Sequence, residues 1–138
     1  MSFSAISSAL SGMRAAAAQA EASASNIANA LTTGAVPGSA TAKGNAVYQP
    51  ESVVRYDIGN GSQAGEVGYR VTADPSAYTQ SYDPNAASAN AEGMVATPKV
   101  DLGAEMVKIT EARLQYAMAT RVVRAAANMQ RAAIDMLA

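Results

Sequence analysis

Apolar residues recur between residues 3 and 31 in alternating steps of three and four positions. This spacing places them along one narrow stripe of an α-helix, which is typical of a coiled-coil seam rather than of a broad globular face. The middle of the stripe is alanine, so a partner helix can approach closely there. We therefore predict a helix over about 3–32, whose stripe comprises Phe3, Ile6, Leu10, Met13, Ala17, Ala20, Ala24, Ile27 and Leu31.

The predicted helix ends in residues that disfavour a helical interior. Asn26 and Asn29 are poor helix formers, and Thr33-Gly34 is typical of a helix stop. The rest of its surface is mostly alanine and serine, with few charges. A helix with so few charges on its outer face is expected to have neighbours on all sides.

The other end of the chain predicts a second long helix. All five prolines lie between residues 37 and 98, which leaves 100–137 free of them. Pro98 disfavours helix for the residue before it, Asp101 is a good amino-terminal cap, and Glu105 faces the positive end of the helix dipole. One apolar face of this helix holds Leu102, Met106, Ile109, Tyr116, Val123, Ala127, Ile134 and Leu137. A second holds Val107, Leu114, Met118, Val122, Ala125, Met129 and Met136.

The two apolar faces indicate packing against both the amino-terminal helix and other chains, because a lone amphipathic helix needs only one. Between the helices, residues 47–58 have the composition of a β-strand, and residues 59–62 are typical of a turn. Residues 65–73 alternate apolar and polar side chains, which also predicts a strand. A further short strand is expected over 77–82. Two or three such strands are marginal alone and need the helices or another subunit.

The expected fold is therefore mainly α, with long terminal helices that pair as a coiled coil around a small, irregular β-hairpin segment. We divide the chain into an amino-terminal axial helix (1–34), a β-rich middle (35–98) and a carboxyl-terminal axial helix (99–138). Together these three segments would form one assembly domain.

Composition narrows the chemistry further. The net charge of -1 argues against binding to nucleic acid or to anionic membranes, and no run is long and apolar enough to span a bilayer. There is no cysteine and no histidine, which removes thiol chemistry and the commonest general base and metal ligand. No paired carboxylates or Ser-x-x-Lys motif occur. The glycines at 59, 61 and 65 do not fit a dinucleotide loop. We therefore predict no catalytic, cofactor or metal site.

Two sets of motifs carry a family resemblance. Ala9-Leu-Ser-Gly-Met13, Ser25-Asn-Ile-Ala-Asn29 and Thr32-Thr-Gly34 resemble the amino-terminal signature of bacterial flagellar axial proteins, which comprise rod, hook and hook-associated subunits. The segment from Tyr82 to Val95, with Pro98-Lys-Val-Asp101 and Glu105-Met-Val107, is similar to rod proteins of the proximal FlgC type. The chain departs from that pattern at Met94, Lys99 and Ala104, and Tyr116-Ala-Met-Ala119 lacks the family's acid and asparagine.

The resemblance implies a structural subunit of the flagellar basal-body rod, a torque-transmitting shaft that crosses the periplasm. It would assemble with copies of itself and with other rod proteins, without nucleic acid and without inserting in a membrane. No secretory signal peptide is apparent, so export through the flagellar type III apparatus without signal cleavage is expected. Two alternatives stay open at this point: a coiled-coil adaptor, and a hook-associated or secreted relative that uses the same export route. The expected assembly interface comprises Phe3, Ile6, Leu10, Met13, Asn26, Ile27, Asn29, Leu31, Met106, Ile109, Tyr116, Val123, Ile134 and Leu137.

Overall fold

The structure, a computed structural model, describes residues 2–39, 44–58 and 65–136, with the side chains of residues 2 and 3 outside the description. The element order is α1 (Ser2–Asn29), β1 (Glu51–Asp57), β2 (Val67–Ala73), β3 (Tyr78–Tyr82), β4 (Met94–Pro98) and α2 (Leu102–Asp135). Helices at the two ends and a β-hairpin between them are as predicted.

The first helix ends where the sequence indicates, but Gly34 has a different role from the predicted helix stop. The chain leaves α1 through two tight turns, in which Ala30 N donates to Ile27 O and Thr32 N donates to Asn29 O. Gly34 then forms an isolated antiparallel bridge with Ala96, with both N–H···O distances at 2.9 Å. A Cβ at Gly34 would lie 2.5 Å from the Cα of Val47, so this position requires glycine because of a close backbone approach.

Strands β1 and β2 form one two-stranded sheet. Asp74 N donates to Pro50 O, and Ile58 N donates to Glu66 O, so the strands pair in antiparallel register. The connection predicted as a turn over 59–62 lies outside the described residues. The two predicted strands are therefore confirmed, and they close a hairpin as the alternating pattern indicated.

Strands β3 and β4 form a second sheet, whose second strand the sequence did not predict. The pairing is antiparallel and runs from Tyr78 opposite Pro98 to Tyr82 opposite Met94. Val95 and Ala96 in β4 are fully buried, and the opposite edge of β4 carries the bridge to Gly34. Short buried strands of this kind lack apolar and polar alternation, which is the usual sign of a strand.

The second helix begins as predicted. Asp101 precedes Leu102, and its Oδ1 accepts a hydrogen bond of 3.0 Å from Ala104 N, which is the geometry of an amino-terminal cap. Asp101 O accepts the first helical hydrogen bond, from Glu105 N, at 3.0 Å.

The described chain divides into two compact units. The first takes in the described parts of Met1–Glu21, Val53–Val71 and Val107–Ala138. In it Val67 N donates to Ser11 Oγ of α1 at 3.0 Å, and Arg55 donates to Gln115 of α2 at 2.6 Å. The second unit takes in the described parts of Ala22–Ser52 and Thr72–Met106. Its core comprises Val36, Val47 and Ala96, with Tyr78 and Met94 packed against them.

The predicted fold class, mainly α with the terminal helices paired as a coiled coil, is wrong. Two antiparallel two-stranded sheets accompany the helices, and a coiled coil is not evident. A coiled coil needs large side chains inserted into holes on the facing helix. In the first unit α1 and α2 instead flank a cavity of about 170 Å³, lined by Ala16, Ala17, Ala20, Ala112, Arg113 and Tyr116. Alanine side chains are too short to fill that space.

Candidate assembly surfaces

The face of α1 that the chain buries consists of small residues. Three of them, Ala9, Ala16 and Ser23, recur every seven positions, which keeps them on one side of the helix, and Ala30 continues this spacing just past its end. Ala15, Ala22 and Asn26 extend this buried face. We call these seven residues the small-residue face. Close backbone approach, rather than large interlocking side chains, therefore packs α1 within its own chain.

The predicted stripe of α1 lies on a different side and is not buried. Leu10 and Leu31 are exposed, the latter by 87%. Ile6, Met13 and Ile27 are partly buried. The side chain of Phe3 lies outside the described residues. Leu10 of α1 and Leu31 just after it are thus exposed on the surface of the single chain, and the other three are partly accessible.

Asn26 differs from the other predicted interface residues because its side chain is used inside the chain. It is 1% exposed. Its Nδ2 donates to Glu51 O at 2.8 Å, and its Oδ1 accepts from Glu51 N at 2.8 Å. The Tyr48 hydroxyl also donates to Asn26 Oδ1 at 3.0 Å, and lies 3.0 Å from Ser25 Oγ. The amide therefore pairs with the first residue of β1 as a neighbouring strand would.

This junction explains an asparagine inside a helix, where it is otherwise unfavourable. Backbone groups shielded from water need partners, and Glu51, which is partly buried, obtains both of its partners from one side chain. Asn29, by comparison, makes a local bond from Nδ2 to Ser25 O at 2.9 Å and is partly buried. The sequence pointed to both asparagines, but it did not reveal Tyr48 and Glu51 as the partners of Asn26.

Most of α2 is exposed. Among its described residues only Glu105, Ala112 and Ala126 are buried. Of the predicted interface residues, Met106, Tyr116 and Ile134 are exposed, while Ile109 and Val123 are partly buried. Leu137 lies outside the described residues. The second predicted apolar face is more exposed than the first, and its exposed large members are Val107, Leu114, Met118, Val122, Met129 and Met136.

The Asp74 carboxyl, which follows β2, has a shifted pKa. The pKa of the Asp74 carboxyl lies below its usual value because the hydroxyl and backbone N–H of Ser76 donate to it, at 2.7 and 2.9 Å. These bonds close a turn between β2 and β3. Within the described ranges no group of acidic residues could hold a metal ion, and neither helix is long and apolar enough to cross a membrane.

Residues 91–136 match a family model described as the C-terminal region of the flagellar basal body rod FlgEFG proteins. The matched region takes in β4 and α2, and so includes the exposed apolar faces of the second helix. A comparison with curated proteins gives no match.

Proposed function

From the match of residues 91–136 to the flagellar basal body rod family model, we propose that this protein is a structural subunit that self-assembles into the rod. The match supports the coarser assignment that the sequence motifs indicated, a flagellar basal-body rod protein, and it supports a structural role in the basal body. The proximal FlgC type is our proposal for the particular subunit. Torque transmission and export through the flagellar type III apparatus are likewise proposed.

The observation that carries self-assembly is the exposure of large apolar side chains along α2, at Leu10 of α1 and at Leu31 just beyond the end of α1. Leu31 is 87% exposed, Ile134 66% and Met106 65%. Removing one such side chain from water stabilises by about 1.5–3 kcal/mol, so a surface with many of them favours association. The chain meanwhile packs α1 with the small-residue face. Its large apolar residues are thus left for contacts with neighbouring subunits.

We propose that copies of this chain and other rod proteins contact the exposed and partly buried apolar residues predicted for the interface. Leu10, Leu31, Met106, Tyr116 and Ile134 would lie at the centre of such contacts. Asn26 would act indirectly, by holding α1 against β1. Segments 1–34 and 99–138 would serve as the two axial helices of one assembly domain, and segment 35–98 would be its middle.

Replacing Leu31 by aspartate tests this proposal. Because Leu31 is 87% exposed, we expect L31D to change the free energy of unfolding by less than about 0.5 kcal/mol. The same variant should lose concentration-dependent association in sedimentation experiments and incorporation into isolated basal bodies. T33D is the matched control, because it adds the same charge at an exposed neighbour without removing an apolar side chain.

Full incorporation of L31D into basal bodies, with normal motility, would refute an interface at Leu31. A wild-type chain that stays monomeric and is absent from basal bodies would refute the proposed function as a whole.

A further inference from the structure

Charge is distributed unevenly between two segments of the chain. Residues 112–134 contain four arginines and no acidic residue. Residues 71–98 contain Asp74, Asp83 and Glu92, and no lysine or arginine. The nearly neutral net charge therefore conceals a basic helix and an acidic β-segment. Opposite surfaces of this kind favour contact between two copies of one chain.

The basic segment presents both charge and apolar area. Arg113, Arg121, Arg124 and Arg131 are all exposed, and none pairs with a carboxylate within the described residues. At 100° per residue, Arg121 and Arg124 lie one turn apart, beside the row formed by Leu114 and Met118. We call these four residues, two arginines and two apolar neighbours, the arginine–methionine face.

The acidic segment carries a matching patch at one end of the sheet formed by β3 and β4. Asp83 N donates to Gly93 O at 2.9 Å, which brings Asp83 close to Glu92. The Tyr82 ring lies over Gly93, the residue after Glu92, since a Cβ there would be 2.7 Å from Tyr82 Cε2. Tyr82 is nonetheless 71% exposed. An exposed tyrosine with two flanking carboxylates is a suitable partner for arginines beside an apolar row.

We propose that the Tyr82–Asp83–Glu92 patch of one copy docks on the arginine–methionine face of the next. Tyr82 packs on Leu114 and Met118, while Asp83 and Glu92 pair with Arg121 and Arg124. The two surfaces differ, so the contact is heterologous, and repetition builds a ring or an open helical array rather than a two-fold dimer. This inference rests on the proposed self-assembly and adds the pair of surfaces that sets the polarity of the array.

Charge reversal in the full chain tests the pairing. R121E/R124E should weaken self-association by about tenfold or more, because two attractive pairs become repulsive. D83K/E92K should weaken it similarly, for the same reason. R70E is the matched control, since Arg70 is an exposed arginine on β2 outside both surfaces, and we expect its association to equal that of the wild type.

Mixing the two charge-reversed proteins gives the sharper result. Each mixed contact then joins an acidic surface to a basic one, so an equimolar mixture should associate although neither protein does alone. Sedimentation velocity measures the sizes, and circular dichroism checks that each variant is folded. If D83K/E92K does not fold, E92K alone replaces it in the mixture.

Three results have distinct meanings. Association of R121E/R124E at wild-type strength would overturn this inference while leaving the proposed function intact, provided that L31D still blocks assembly. Weakened single variants without recovery in the mixture would also overturn it, because the acidic partner would then lie elsewhere. A wild-type chain that never associates would refute both proposals together.

Discussion

Replacing Asn26 by alanine removes three hydrogen bonds from a buried site. The amide bonds both backbone groups of Glu51 at 2.8 Å and accepts the Tyr48 hydroxyl at 3.0 Å. Each bond contributes about 1 kcal/mol net, and a buried backbone group left without a partner costs about 1–3 kcal/mol. Tyr48 stays within reach of Ser25 Oγ, so most of the loss comes from Glu51. We expect N26A to lower the free energy of unfolding by about 3 kcal/mol.

Urea unfolding followed by circular dichroism measures this change, and the midpoint of thermal unfolding should fall by about 10 °C. N29A is the control, because it makes the same substitution one turn away and removes only a local bond to Ser25 O. The control should lose less than about 1 kcal/mol. Equal stabilities for N26A and N29A would refute the reasoning, since the buried pairing with Glu51 would then contribute nothing.

Two further predictions concern backbone approach and pH. G34A should lose about 2–4 kcal/mol in urea unfolding, because its Cβ would lie 2.5 Å from Val47. G12A, with nothing within 4 Å, should instead gain up to about 1 kcal/mol, and a G34A protein of wild-type stability would contradict the close approach. S76A should raise the pKa of Asp74 toward its usual value in an NMR titration, because the hydroxyl donor is lost. A lowered carboxyl pKa stabilises the fold above the unfolded-state pKa and loses that effect as pH falls through the folded-state pKa, so S76A should show less of this acid-dependent loss. An unchanged pKa in S76A would show that the backbone N–H alone holds the carboxylate.

Helix bounds and caps could be predicted from local chemistry. A helix over about 3–32 agrees with Ser2–Asn29 within a few residues, and the Asp101 cap is present at 3.0 Å. These features depend on neighbours in the sequence, so they are visible there. Strand Met94–Pro98 could not be predicted from alternation, because it is buried between β3 and Gly34. The sequence signal for this strand is weaker than alternation, because it consists only of a short run between Gly93 and Pro98.

The surfaces were harder to predict than the elements. Large apolar residues dominate a hydrophobic periodicity, so the sequence indicated the stripe from Phe3 to Leu31 as a coiled-coil seam and as part of the assembly interface. The chain instead buries the small-residue face. Its residues are mostly alanine and differ little in hydrophobicity from their neighbours, so their regular spacing is hard to detect in the sequence. The partners of Asn26 lie 22 and 25 residues away, and no local pattern connects them.

The small-residue face has a consequence for mechanical stiffness. Alanine has no side-chain rotamers, so packing it costs no side-chain entropy and leaves no alternative arrangement into which the contact can relax. A contact made by long side chains can instead yield by changing rotamers when it is loaded. The five alanines of this face, unlike its Ser23 and Asn26, therefore add no side-chain freedom through which the packing of α1 could relax. In the rod subunit proposed above, such packing would pass on a twisting force with little loss to internal rearrangement.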